Sequence, residues 1–124
     1  MARILLIDDD HAFRKMLRMA LEKVGYEVVD AADADEGLKL YAQTNYDLII
    51  IDVFMPKIDG IKAIHMIMED FNSPKIIAMT GACLYHRTNE DVLIHAKACV
   101  AVEVFNKASA ITDLLTKIKA VLCE

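Results

Sequence analysis

The chain has 124 residues, 56% of them hydrophobic and 27% charged, which is the size and composition of one folded domain with its own core. Its formal net charge of −5 speaks against a protein that tracks nucleic-acid phosphates, so no direct nucleic-acid partner is expected. Three cysteines without a CxxC spacing (Cys83, Cys99 and Cys123) fit reduced thiols in a cytoplasmic protein, and no apolar run nears the roughly 20 residues of a membrane span.

Ile4 to Ile7 is a continuous aliphatic run, as expected of a parallel strand covered on both faces. Phe13, Met16, Leu17, Ala20, Leu21 and Val24 then recur at three- and four-residue steps and mark one face of a helix. Asp10 is expected to cap its start and Gly25 its end, with His11 exposed in the first turn and given no ligand role. Glu27 to Ala31 reads as a second strand, and Ala34 to Thr44 as a second helix with Leu38 and Tyr41 inward and Gly37 as a weak point. Leu48 to Ile51 is the most β-prone run and ends at Asp52.

A third helix is expected over Gly60 to Asp70, presenting Ile61, Ile64 and Met68, followed by a turn at Asn72-Ser73-Pro74 and a fourth strand over Lys75 to Met79. Arg87 to Ala98 reads as a fourth helix, with Thr88 and Asp91 spaced for a capping box. Val102 to Phe105 is the fifth strand, and Ser109 is expected to cap a fifth helix through Ile111, Leu114, Leu115, Ile118 and Leu122. Right-handed crossovers turn this alternation into an α/β fold: a doubly wound, five-stranded parallel sheet with helices on both faces, in one domain over residues 1–124.

In such a sheet, ligands bind beyond the carboxyl ends of the strands, near the point where strand order reverses. The first strand ends in Asp8-Asp9-Asp10, the third in Asp52, the fourth in Thr80-Gly81 and the fifth in Asn106-Lys107. Taken singly, an aspartate at a strand end is more often a solvated turn residue or a cap, and a lone lysine is usually surface. Four strand ends that agree favour a site. Asp8, Asp9 and Asp52 together would repel in a partly desolvated cleft, a conflict that a hard divalent cation such as Mg²⁺ resolves. Lys107 brings the local charge to zero once such a cation is counted, so a phosphoryl group added to Asp52 would upset the balance, as a two-state switch requires.

On Ile7-Asp8-Asp9, on Ile51-Asp52-Val53-Phe54-Met55-Pro56-Lys57-Ile58-Asp59-Gly60, on Thr80-Gly81 and on Lys107, the chain resembles the receiver (response-regulator) domain of bacterial two-component signalling, over essentially its whole length. The resemblance implies a flavodoxin-like fold in which Asp52 accepts a phosphoryl group from a phosphohistidine on a sensor histidine kinase or a histidine phosphotransfer protein. It implies that Asp8, Asp9, Asp52 and the backbone carbonyl of Phe54 hold Mg²⁺, while Thr80 and Lys107 engage the phosphoryl oxygens. It further implies a signalling domain with only intrinsic phosphotransfer and self-dephosphorylation rather than an enzyme. The fourth helix and fifth strand would carry the output to a downstream protein, with a homodimer through the fourth-helix, fifth-strand and fifth-helix face as one form of pairing. Phe54 and Ala82 resemble the positions that set phosphoryl lifetime, and since neither orients a water, slow self-dephosphorylation is expected.

Some positions depart from the family pattern. Ala108 replaces the usual cis-proline after the lysine, and a non-proline cis bond costs about 2.5–4 kcal/mol, so a trans peptide and a differently set Lys107 are expected. Val104 stands where an aromatic switch residue is common, with Phe105 beside it expected in the core; Val100-Ala101 replaces Gly-Ala, and Cys83 to Thr88 suggests an enlarged loop. Two rivals remain. A degenerate receiver, binding without phosphorylation, would explain the changes at Val100, Val104 and Ala108. A haloacid-dehalogenase-type phosphohydrolase would use Asp8 and Asp10 as its Asp-x-Asp pair, but needs a polar residue at Ala12 and leaves the stretch after Asp52 unexplained. A flavin-binding protein is disfavoured, because no strand end carries a Ser/Thr/Gly-rich phosphate loop. The chain is either a stand-alone receiver or one cut from a larger regulator, and its start at Met1 and finish at Glu124 favour the former.

Overall fold

The computed structural model describes residues 2–53, 63, 64, 66, 67, 69, 74–80 and 103–123. Within them, β1 (Arg3–Ile7), α1 (His11–Lys23), β2 (Glu27–Ala31), α2 (Ala34–Gln43), β3 (Leu48–Asp52), β4 (Lys75–Thr80), β5 (Glu103–Asn106) and a C-terminal helix (Ile111–Leu122) follow in chain order. The strands form one sheet in the order β2-β1-β3-β4-β5, with every pairing parallel. Strand order therefore reverses between β1 and β3, and their carboxyl ends flank the crevice where such sheets bind ligands.

Residues 4–7 of β1 and 48–51 of β3 are all aliphatic, because both faces of these strands are covered. Leu5, Ile7, Ile49 and Ile51 enter one core, packed with Ala34, Ala63, Ile64 and Ile67 and edged by Leu38 and Tyr41 of α2. Ile4, Leu6, Leu48 and Ile50 enter the other, against Leu17 and Leu21 of α1 and Leu114, Ile118 and Val121 of the C-terminal helix. Of the expected third helix, Ala63, Ile64, Met66 and Ile67 are helical, and Ile64 is buried as anticipated. Ile61, Met68, the fourth helix, Val100-Ala101 and the Cys83 to Thr88 loop lie outside the described residues.

The caps account for the element boundaries. Asp10 accepts from the Phe13 N–H at 3.1 Å and starts α1, and Gly25 follows its end at φ 103°, both as expected. Val24 was expected on the inner face, but α1 stops at Lys23 and leaves Val24 as the C-cap, 53% exposed. α2 has a reciprocal cap that the sequence reading missed: Asp33 accepts from the Glu36 N–H at 2.8 Å, while Glu36 accepts from the Ala32 N–H at 3.3 Å. Ser109 does not cap the C-terminal helix. The turn is closed by Asn106, whose side chain accepts from the Ala108 N–H and whose carbonyl accepts from the Ser109 N–H, so the N-cap falls on Ala110 without a side-chain bond.

Gly37 proves to be a contact point instead of a weak point. A Cβ there would overlap the Ile7 side chain, lying 2.8 Å from its Cγ1. Ile7 is fully buried and immediately precedes Asp8, so the glycine lets α2 press on the strand end that leads into the acidic crevice. Alanine gains about 1 kcal/mol of helix propensity but overpacks a dense core by about 1–3 kcal/mol. Gly37→Ala is therefore expected to lower stability by about 1 kcal/mol, and Gly37→Val by more. A urea unfolding series checks this, and a gain of stability in Gly37→Ala would mean that Ile7 yields freely.

Candidate acidic site at the strand ends

β1 and β3 pair with Ile7 opposite Ile51, so Asp8 and Asp52 leave adjacent strands at the same level. Asp8 is 0% and Asp52 3% exposed, while Asp9 is exposed at the mouth. One carboxylate oxygen from each of the three lies within 4.8 Å of the others. Lys107, just past β5, reaches across the end of β4. Its Nζ sits 2.9 Å from Asp8 Oδ2, 3.3 Å from Asp52 Oδ2 and 4.4 Å from the centroid of the Phe13 ring on α1.

Burial of the Lys107 ammonium would pull its pKa down. The Asp8 carboxylate in close contact with it and the charge of Asp52 outweigh that and hold it above the ordinary lysine value, so the group stays cationic. Among the described residues, one ammonium beside three carboxylates leaves an excess of about two negative charges. At an effective dielectric of ~20, each carboxylate pair at this separation repels by roughly 3–4 kcal/mol. Asp8 Oδ1 accepts from the Asp10 N–H at 2.9 Å, whereas Asp8 Oδ2 is buried and accepts no well-aligned hydrogen bond, with the ammonium as its close partner. An under-satisfied buried oxygen and three converging hard oxygen donors fit a small divalent cation such as Mg²⁺.

Of the residues expected at the site, Asp8, Asp9, Asp52 and Lys107 come together. Thr80 is the last residue of β4, in register with Asn106 beside Lys107. Phe54, Ala82, Gly81 and the stretch from Met55 to Gly60 lie outside the described residues. Val104 is buried in β5 and Phe105 is in the core, as expected. No cis peptide occurs among the described residues, as expected with Ala108 after the lysine, and Lys107 reaches both carboxylates. Asp10 is occupied as the α1 cap and stands outside the cluster, which removes the second member of the Asp-x-Asp pair.

A brace that no sequence motif announces stands behind Asp8. Arg14 on α1 donates through Nη1 to the Asp8 carbonyl at 2.7 Å and through Nε to Asp30 of β2 at 3.0 Å. Arg18, one turn on, donates to the other oxygen of Asp30 at 2.7 Å. The one legible signal was the four-residue spacing of Arg14, Arg18 and Glu22 along α1.

Comparison with known proteins supplies the family context. The family model for the response regulator receiver domain matches residues 4–119. The response regulator MprA of Mycobacterium sp. (strain KMS) is 31% identical over 120 residues, covering 97% of this chain and 50% of MprA. The transcriptional regulatory protein ResD of Bacillus subtilis (strain 168) is 39% identical over 79 residues, covering 64% of this chain and 32% of ResD. The matched stretches thus cover between about a third and a half of the curated relatives, and the chain spans about half of their length. Among solved structures, the response regulator TrrA of Thermotoga maritima in complex with Mg²⁺-BeF superposes with a TM-score of 0.81 at 32% identity, covering 98% of this chain and 99% of TrrA. A receiver domain protein from Clostridium thermocellum superposes with a TM-score of 0.87 at 28% identity, covering 98% of this chain and 94% of that one. No helix among the described residues is long and apolar enough to cross a membrane.

Proposed function

The chain belongs to the response regulator receiver family, and on that premise we propose that it is a Mg²⁺-dependent phosphoacceptor whose acceptor is Asp52. The observation that carries this is the half-buried Lys107 ammonium, held between the buried Asp8 and Asp52 carboxylates where strand order reverses. A carboxylate oxygen of Asp52 attacks phosphorus in line. The new P–O bond forms as the P–N bond of the phosphohistidine breaks, and the electron pair returns to the imidazole nitrogen, which takes up a proton. Little covalent chemistry is asked of the chain, so positioning and charge neutralisation supply most of the acceleration.

Asp8, Asp9, Asp52 and the Phe54 carbonyl would hold Mg²⁺, which when bound supplies charge neutralisation at the phosphoryl oxygens. Lys107 and the hydroxyl of Thr80 are the groups that would engage those oxygens, from the ends of β5 and β4. A phosphoryl group draws the Lys107 ammonium from two carboxylates towards a third anion, and that change would be transmitted through β4 and β5 to the output face. The donor is a sensor histidine kinase or a histidine phosphotransfer protein, and the receiver is the single domain of residues 1–124, acting in the cytoplasm. Relatives named as transcriptional regulators are about twice as long. In a regulator of that length, contact with DNA would fall to residues beyond this domain, which narrows the expectation of no nucleic-acid partner to the receiver itself.

Borohydride trapping after incubation with a small phosphodonor and Mg²⁺ tests the assignment. The modification is expected on Asp52, whereas trapping at Asp8 would favour a phosphohydrolase, and no labelling by any donor would leave a receiver that binds without phosphorylation. Phe54, two residues past the acceptor, would shield phosphorus from water, so phosphate release is expected to be several-fold slower than in Phe54→Asn. Equal release rates would remove that shielding role.

A further inference from the structure

Asp8 is held from several sides. Its N–H donates to the Ala31 carbonyl of β2 at 3.2 Å, its Oδ1 accepts from the Asp10 N–H, and its own carbonyl accepts from Arg14 Nη1 at 2.7 Å. The Arg14 side chain is only 13% exposed, and its Nε is fixed by Asp30 while its Nη2 lies 3.1 Å from His11 Nδ1. Asp30 is fixed in turn by Arg18, whose Nε lies 3.4 Å from Glu22. A solvated ion pair on a helix is worth little. This one is different in kind, because the guanidinium fork ties a main-chain carbonyl of the first strand end to a carboxylate on the neighbouring strand.

We propose that Arg14, braced by Asp30, is a positioning residue for the metal-binding carboxylate of Asp8, an inference that rests on the metal site argued above. With the amide and the carbonyl of Asp8 both anchored, Oδ2 is held towards the crevice before any cation arrives. Outer groups that orient a ligand typically change metal affinity by about 10–100-fold when removed. The design has a built-in sign test. Arg14 is a cation and Asp30 an anion, so if they acted on the site only through their fields, removing Arg14 would tighten cation binding and removing Asp30 would weaken it. Positioning predicts weakening from both.

Mn²⁺ binding measured by titration calorimetry on the full chain, together with the thermal midpoint of each variant, decides the matter. Arg14→Gln and Asp30→Ala are each expected to weaken Mn²⁺ binding on the order of ten-fold. Arg14→Lys, which keeps the charge but cannot serve both acceptors, is expected to weaken it too. Opposite signs for Arg14→Gln and Asp30→Ala would reduce the pair to a field effect and overturn the inference, as would unchanged affinity with a lowered midpoint. A wild-type chain that binds no Mn²⁺ would instead overturn the metal reading itself, and the inference with it.

Discussion

Asp52→Asn is expected to abolish labelling by a small phosphodonor and, in the same protein, to raise the stability of the metal-free fold. The first result follows from loss of the nucleophilic carboxylate. The second follows from where that carboxylate sits. Asp52 is almost fully buried beside Asp8 and Asp9, with one ammonium shared between Asp52 and Asp8. Among the described residues, its ionised form bears the desolvation of a buried charge and repulsion from two neighbours, against the attraction of a lysine that is closer to Asp8. Asparagine keeps the shape, removes the charge and leaves Lys107 to Asp8. A gain of about 1–2 kcal/mol in urea unfolding without Mg²⁺ is the expected size. Adding Mg²⁺ should reverse the ranking, because ligand binding stabilises wild type in proportion to its affinity and the variant offers one ligand fewer. Full labelling of Asp52→Asn would place the acceptor elsewhere, and a metal-free fold less stable than wild type would mean that Asp52 is held more by Lys107 than strained by its neighbours.

Most of the acidic site was legible because parallel strands convert position in a run into position in space. Asp8 and Asp52 each follow a continuous aliphatic run, and in-register pairing of those runs brings them to one level although they stand 44 positions apart in the chain. Lys107 was legible for the same reason, one residue beyond β5. Features set by close approach were not. Gly37 looks like poor helix propensity until the Ile7 side chain is seen beneath it. Arg14 reads as one more charged residue on an amphipathic helix, since its partners are a main-chain carbonyl six residues back and a carboxylate 16 residues on. The α2 cap has a sequence signature in the three-residue spacing of Asp33 and Glu36. Ser109 misled because a helix-favouring cap residue stood one place before the true start, inside a turn that Asn106 closes.

Lys107→Met should have the largest effect on the fold itself. It leaves Asp8, at 0% exposure, with its Oδ2 deprived of its close cationic partner while Asp52 stays nearby. Breaking a buried pair by removing one member costs about 3–5 kcal/mol, and relaxation of this cleft at its exposed Asp9 side argues for the lower end, about 3 kcal/mol without metal. The elevated pKa of Lys107 gives the sign of the pH dependence: its stabilising contribution is complete below the ordinary lysine value and is lost as pH rises through the elevated one. The cost of Lys107→Met is therefore expected to be flat across the neutral range and to shrink only in alkaline solution. Mg²⁺ should return more stability to this variant than to wild type, because the cation then answers three carboxylates with no competing ammonium. Asp52→Asn in the same chain should recover part of the loss, a coupling expected of residues in direct contact. Urea midpoints for both single variants and the double variant, with and without Mg²⁺, measure all of this. A metal-free cost below about 1 kcal/mol, with no extra gain from Mg²⁺, would mean that Asp8 is accommodated by protonation or water and that Lys107 is not what balances the site.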